Sequence, residues 1–461
     1  LPQLLNFDLD WGDYDRDGDL DLLMAGLYGG TRIAYIYRND DGLFTEVDAG
    51  LPGMIRCEVA WGDYDGDGDL DALLSGSDAA DEALTVLYSN TDGVFTETPT
   101  SLAQVSRSAL AWGDYDGDGD SDLALAGAET DTSVITTIYR NDSGTFTSIN
   151  TTLPGVSFGS LAWGDSDNDG YPDLLLTGQG ITSPIAAVFR NDGGTFIHDD
   201  TWDLVPVERG VAAWGDSDGD GDLDVLITGD TRSGNQSAVV LNHATTPNTP
   251  PSSPTNLQAV VEDGMVTLSW DTATDAETPS AGLTYNVRVG TVARPDSIVS
   301  AQADPNTGQR RVAKPGNAGH RLSLTLTMDT GSFVWSVQAI DAAFSASTFA
   351  PDQVFSTATS VYEEPLPGLR TVLHGAVPNP FNPRTEVVFE LSRNGPAILD
   401  VHDAQGRLVR RLLDERTCPA GINRAAWDGR DRAGRRAATG VYFLRLVTED
   451  GVQTSQVALV K

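Results

Sequence analysis

The chain has 461 residues, 40% of them hydrophobic, with 29 Lys and Arg against 67 Asp and Glu and a net charge of −38. The excess is local: residues 1–249 hold 9 basic against 45 acidic side chains, residues 250–369 hold 6 against 12, and residues 370–461 hold 14 against 10. Such acidity repels nucleic acid and anionic membranes, no apolar run approaches the roughly 18 residues of a membrane span, and two cysteines, Cys57 and Cys418, make no disulfide framework.

The chain opens on Leu1-Pro2 in the same register before Trp11 as Leu51-Pro52 before Trp61, so it starts inside a repeat, as expected of an N-terminally truncated or processed product. One motif, Trp-Gly-Asp-(Tyr/Ser)-Asp-x-Asp-Gly-(Asp/Tyr)-x-Asp, then recurs at Trp11, Trp61, Trp112, Trp163 and Trp214, spaced 50, 51, 51 and 51 residues apart. That period, filled with short alternating runs, predicts propeller blades of four strands each over residues 1–243.

Inside every copy, oxygen ligands stand at positions 1, 3, 5 and 9 of a tight loop, with a backbone carbonyl offered at position 7 and a glycine at the sharp turn of position 6. The candidate metal ligands are Asp13, Asp15, Asp17, Asp19 and Asp21 in the first loop and Asp63, Asp65, Asp67, Asp69 and Asp71 in the second. The third offers Asp114, Asp116, Asp118, Asp120 and Asp122, the fourth Asp165, Asp167, Asp169, Tyr171 and Asp173, and the fifth Asp216, Asp218, Asp220, Asp222 and Asp224. Tyr171 at position 7 suits a backbone ligand whose side chain is free to vary. Asp and Gly are also the commonest turn residues, but five copies in one register exceed turn propensity, and carboxylates so crowded repel without a cation. Hard oxygen ligands at this spacing select Ca2+, about five ions in all. Five such ions take residues 1–249 only from −36 to −26. Four carboxylates per site leave little open coordination, so a catalytic metal is not expected.

Apolar runs after each loop (Leu20–Ala25 in the first), runs ending on Tyr37-Arg-Asn and its counterparts, and strands at Phe44, Phe95, Phe146 and Phe196 complete four blades. The fifth copy stops at Asn242-His243 without its last strand, and the recurring Trp and Phe read as blade core. These repeats resemble the FG-GAP/VCBS repeats of integrin-α-like propellers. The resemblance implies a calcium-loop β-propeller whose ions brace the blades while ligands meet the ring faces.

Residues 244–254 carry four prolines and form an extended linker. Over 255–358 the runs Leu257–Val260, Val266–Trp270, Leu283–Val289, Leu322–Leu326 and Phe333–Ile340 alternate with period two. With Trp270 and Trp335 as core aromatics, this stretch resembles a fibronectin type III sandwich, a spacer by default. A second linker spans 359–371. Residues 372–461 open on Val377-Pro-Asn-Pro-Phe-Asn-Pro383, whose prolines bar ladder pairing, and continue in strands around Ala426-Trp-Asp-Gly429 and Gly440–Leu446. This module resembles the C-terminal sorting domain of the type IX secretion pathway and the related Ig-like domain of flagellar hook-capping proteins, which implies recognition by outer-membrane secretion machinery. The fold class is therefore all-β: a calcium-loop propeller followed by two β-sandwiches.

The five histidines (His198, His243, His320, His374 and His402) are scattered, and no nucleophile elbow, phosphate loop or dinucleotide fingerprint occurs. No enzyme and no catalytic residue is expected. The expectation is a secreted or bacterial cell-surface calcium-binding protein that binds an extracellular glycan or protein ligand. The alternatives are a non-catalytic accessory region of a longer secreted enzyme and a purely structural surface component.

Overall fold

Each repeat alternates short apolar strands with Gly- and Asp-rich turns, and each folds as one antiparallel sheet in which strand order follows chain order. The computed structural model describes residues 1–461 except 41, 245, 263–264, 292–293, 305–306, 311, 358–369, 420, 449 and 461. Of the second linker, residues 359–369 lie outside the described residues. Every regular element among the described residues is a strand. Two compact units result, Leu1–Asp329 with Phe333–Thr357 and Thr330–Ser332 with Ala358–Lys461.

In the first blade the strands are Leu5–Gly12, Asp21–Tyr28, Thr31–Asp40 and Leu43–Val47. Three further four-stranded sheets follow, and the fifth, Glu208–Gly215, Asp224–Thr231 and Gly234–Val240, has three strands. The first strands, Leu5–Gly12, Ile55–Gly62, Ser106–Gly113, Ser157–Gly164 and Glu208–Gly215, lie beside one another in sequence order. The Asp loop always joins first strand to second, and position 9 is always the first residue of the second strand.

Packing between blades explains the Trp-Gly pair. A Cβ added to Gly12, Gly62, Gly113 or Gly164 would lie 2.5–2.8 Å from the Trp ring of the next blade, so only glycine lets that ring lie flat on the backbone. Trp61, Trp163 and Trp214 are buried accordingly. Each removes roughly 200 Å² from water, worth about 5 kcal/mol before entropy. Trp11 departs from the core expectation and is 47% exposed, because no described residue stacks a sheet against that face.

The Tyr/Ser choice at position 2 follows the same contact. Tyr14 packs between Trp61 and Phe95 of the next blade, with centroids at 5.8 and 5.4 Å, and Tyr115 packs against Trp163 and Phe196 at 6.5 and 5.8 Å. Ser166 faces the three-stranded fifth blade, which lacks that Phe and packs Trp202 against Trp214 at 5.7 Å.

Beyond the propeller, Thr255–Glu262, Met265–Asp271 and Ser323–Thr327 form one sheet and Arg294–Val299, Thr284–Thr291, Ser332–Ile340 and Gln353–Ser356 a second. Their shared core holds Trp270, Tyr285 and Trp335. Two of these strands, Arg294–Val299 and Gln353–Ser356, are short edge strands that the alternation did not single out. The second unit packs a three-stranded sheet (Val372–Val377, Thr385–Leu391, Gly421–Trp427) on a four-stranded one around Phe389, Leu399, Leu444 and Trp427. The proline-rich opening contributes Phe381 to this core, 5.2 Å from Trp427. Cys57 and Cys418 are both buried.

Candidate metal centres in the five aspartate loops

Position 1 organises each turn. Asp13 accepts the backbone N–H of Asp17 (3.1 Å) and of Gly18 (3.0 Å), Asp114 those of Gly117, Asp118 and Gly119, and Asp165 those of Asp169 and Gly170. Gly18 sits at φ +96°, so a side chain at position 6 would strain the loop as well as crowd it. Position 5 closes a smaller turn: Asp17, Asp67, Asp118, Asp169 and Asp220 each accept the N–H of position 7 at 2.8–3.1 Å. At position 7 the side chains turn away, as those of Asp69 and Asp120 show by accepting the N–H of Asp92 and of Ser143. With Asp69 also paired to Arg16 at 2.9 Å, the carbonyl is what these two residues offer to an ion.

Position 9 does something the spacing did not reveal. Asp21, Asp71, Asp122, Asp173 and Asp224 each accept the N–H of position 2 through one oxygen, at 2.8–3.1 Å. Through the other they accept, at 2.8 Å, the N–H of Asn39, Asn90, Asn141, Asn191 and Asn242. These Asn residues are the functional positions that ligand spacing missed. In the second to fifth blades the Asn side-chain amide donates to the position 8 carbonyl of its own loop and to the position 2 carbonyl of the preceding blade, as Asn90 does to Leu70 and Tyr14. The signal was present in the recurring Asn at a fixed register.

In the first loop carboxylate oxygens of Asp13, Asp15 and Asp17 lie within 4.8 Å of one another. In the other four the close groups are positions 1, 3 and 9: Asp63, Asp65 and Asp71; Asp114, Asp116 and Asp122; Asp165, Asp167 and Asp173; Asp216, Asp218 and Asp224. Asp21, Asp67, Asp118, Asp169 and Asp220 fall outside these tight groups. Burial first, and neighbouring carboxylates second, push the acids up: Asp71 and Asp122 to about 8, Asp13 to about 7, and Asp116 to about 6.

The donor set fits a hard cation. Oδ1 of Asp15, Asp63, Asp116 and Asp167 is buried with no hydrogen-bond partner in the protein. A buried acceptor left unsatisfied costs about 1–3 kcal/mol, more when charged, unless a cation meets it. Outside the loops, Asp8 and Asp10 are engaged as ties between blades, accepting the N–H of Val59 and of Trp61 at 2.9 Å.

Residues 13–176 match the FG-GAP-like repeat in three overlapping segments (13–74, 63–125 and 114–176), and residues 381–451 match the FlgD Ig-like domain. The chain thus contains FG-GAP-like repeats and a FlgD Ig-like domain. No curated protein matches it. Among solved structures it is similar to PorZ, a surface component of the type-IX secretion system of Porphyromonas gingivalis, at 15% identity and TM-score 0.29, over 96% of this chain and 58% of that one. Latent PorU from the same organism shares 13% identity at TM-score 0.17, over 80% of this chain and 35% of that one. An exo-beta-1,3-galactanase from Phanerochaete chrysosporium shares 9% at TM-score 0.30, over 99% of this chain and 96% of that one. The chain therefore spans little more than half of PorZ and about a third of PorU, and at these scores no activity passes from any of the three. No described helix is long and apolar enough to cross a membrane.

Proposed function

We propose that this chain is an extracellular, calcium-braced propeller that presents a ring face to a glycan or protein ligand and carries its own export module. The observation behind this reading is the fivefold recurrence of a loop whose carboxylates are crowded and partly buried, some of their oxygens unpartnered. Bound in such a loop, Ca2+ supplies the charge that lets neighbouring carboxylates stay ionised. The chain does the rest: position 1 shapes the turn, position 9 pins both strands, and the Asn amide ties the loop to the blade before it. With these restraints set in advance, ligand binding costs less ordering. Calcium is abundant outside cells, where modules of modest affinity fill, and the FlgD Ig-like match supports recognition of residues 372–461 by outer-membrane secretion machinery. With the dense Asp clusters all assigned to the loops, the reading is non-catalytic.

The test is thermal unfolding of the full chain in millimolar calcium and in chelator, followed by a glycan and protein-ligand screen in calcium. A large calcium-dependent rise in Tm, with ligand capture lost in chelator, supports the reading. Calcium binding with no ligand in the screen favours a purely structural surface component, and no calcium response at all removes the proposal.

A further inference from the structure

The first sandwich does not hang free of the propeller. It meets four of the five loops, and always at the turn. In loop 1 the N–H of Thr327 donates to the Arg16 carbonyl at 2.9 Å, and Ile298 lies against Gly18. In loop 2 Arg321 donates to the Gly68 carbonyl at 2.9 Å, and its Nε stands 3.4 Å from Asp63 Oδ2, leaving Asp63 Oδ1 unpartnered in the loop. In loop 3 His320 Nδ1 is 3.8 Å from Asp114 Oδ2, and Ala281 lies against Gly119. In loop 4 the Ala342 carbonyl accepts the N–H of Asp165 at 3.0 Å, and the Glu277 carbonyl is so close to Gly170 that a Cβ there would lie 2.0 Å away.

Loop 5 is different. Nothing lies within 4 Å of a Cβ built on Gly219 or Gly221, and Asp216 and Asp218 are exposed where Asp114 and Asp165 are buried.

We propose that the sandwich is a calcium-linked cap: it seats on the metal-shaped turns of loops 1–4, enclosing four ions, and leaves the loop 5 ion open to solvent and readily exchanged. This rests on the calcium reading above. The contacts are to backbone at positions 1, 4 and 6 and to the position 1 carboxylate, the parts of the loop whose geometry an ion fixes. A cap that fits only the filled turns must strengthen the ions it covers, because coupling between two sites is reciprocal. Covering the sites also excludes water, which strengthens the charge interactions beneath.

The experiment is a calorimetric calcium titration of chelator-stripped full chain, with proteolytic cleavage of the 244–254 linker followed in parallel. The expected wild-type result is a tighter class of four sites and a weaker class of one. Asp218→Asn should abolish only the weaker class. Ile298→Asn and Ile298→Ala, which leave the loop charge unchanged, should each weaken the tighter class about fivefold or more, leave the single site unchanged, and speed linker cleavage in calcium. The open site serves as an internal control for folding, and should an interface variant misfold, the wild-type and Asp218→Asn titrations decide alone. Five equivalent sites in the wild type, or interface variants that leave all affinities unchanged, overturn the cap. Absence of calcium binding overturns instead the reading on which it stands.

Discussion

Within a single loop, carboxylates that look alike in sequence divide by role. Asp116 at position 3 has an unpartnered buried oxygen, whereas Asp122 at position 9 accepts two buried N–H groups. Asp116→Ala should therefore lower stability in calcium and change little in chelator. Asp122→Ala should cost about 2–4 kcal/mol in both, since two donors lose their acceptor. Paired denaturation curves measure the difference, and equal behaviour of the two variants would erase the distinction. The raised acids also set a pH dependence. Asp71, Asp122 and Asp165 are pushed up to about 8, and Asp13 and Asp173 to about 7, from 3.8 in the unfolded chain, mainly by burial. A raised folded-state pKa gives stability that is full below the unfolded value and lost as pH rises through the folded one. In chelator, Tm should thus fall between about pH 4 and pH 8. Calcium replaces those protons, so the gain from calcium should be largest above pH 8 and shrink toward pH 5; a gain independent of pH would contradict the burial of these groups.

The blade is stapled by side chains as well as by its ladder. Asn141 donates to the carbonyls of Tyr64 and Ser121 and accepts the N–H of Gly144 at 2.8 Å, so one residue joins a loop, a turn and the preceding blade. Asn141→Ala strands these groups and should cost about 2–4 kcal/mol, read as a lower denaturation midpoint of the propeller transition. Strand order and loop position were legible because Trp, Asp and Phe recur in phase. The Asn staple was legible only in retrospect: an Asn before a Gly turn reads as turn chemistry, and its partner lies 76 residues away in Asn90, whose amide reaches Tyr14. The edge strands Arg294–Val299 and Gln353–Ser356 were missed for a related reason, since half-exposed edges carry too few apolar residues to mark a period. The seating of the first sandwich on the loops left no trace in the sequence, because it runs through backbone groups and a few side chains, Ile298, His320 and Arg321, that share no motif.

For the whole molecule, separate cores predict separate transitions. Trp427 is fully buried between Phe381 and Tyr442, so Trp427→Ala should cost its unit about 3–5 kcal/mol while leaving the calcium titration of the propeller unchanged. Differential calorimetry in calcium would show one transition moving and the other still; a shared shift would mean the two units unfold together. The tryptophan laid on bare glycine backbone has a last consequence, for inheritance rather than for stability. Each repeat carries one half of the contact at either side, a ring facing back and a glycine facing forward. A duplicated segment of 51 residues brings both halves with it in register, as the spacing from Trp61 through Trp214 records. Such a gene can lengthen or shorten by whole blades without inventing a new surface, while a duplication that cuts a repeat in two would leave a ring with no flat place to land.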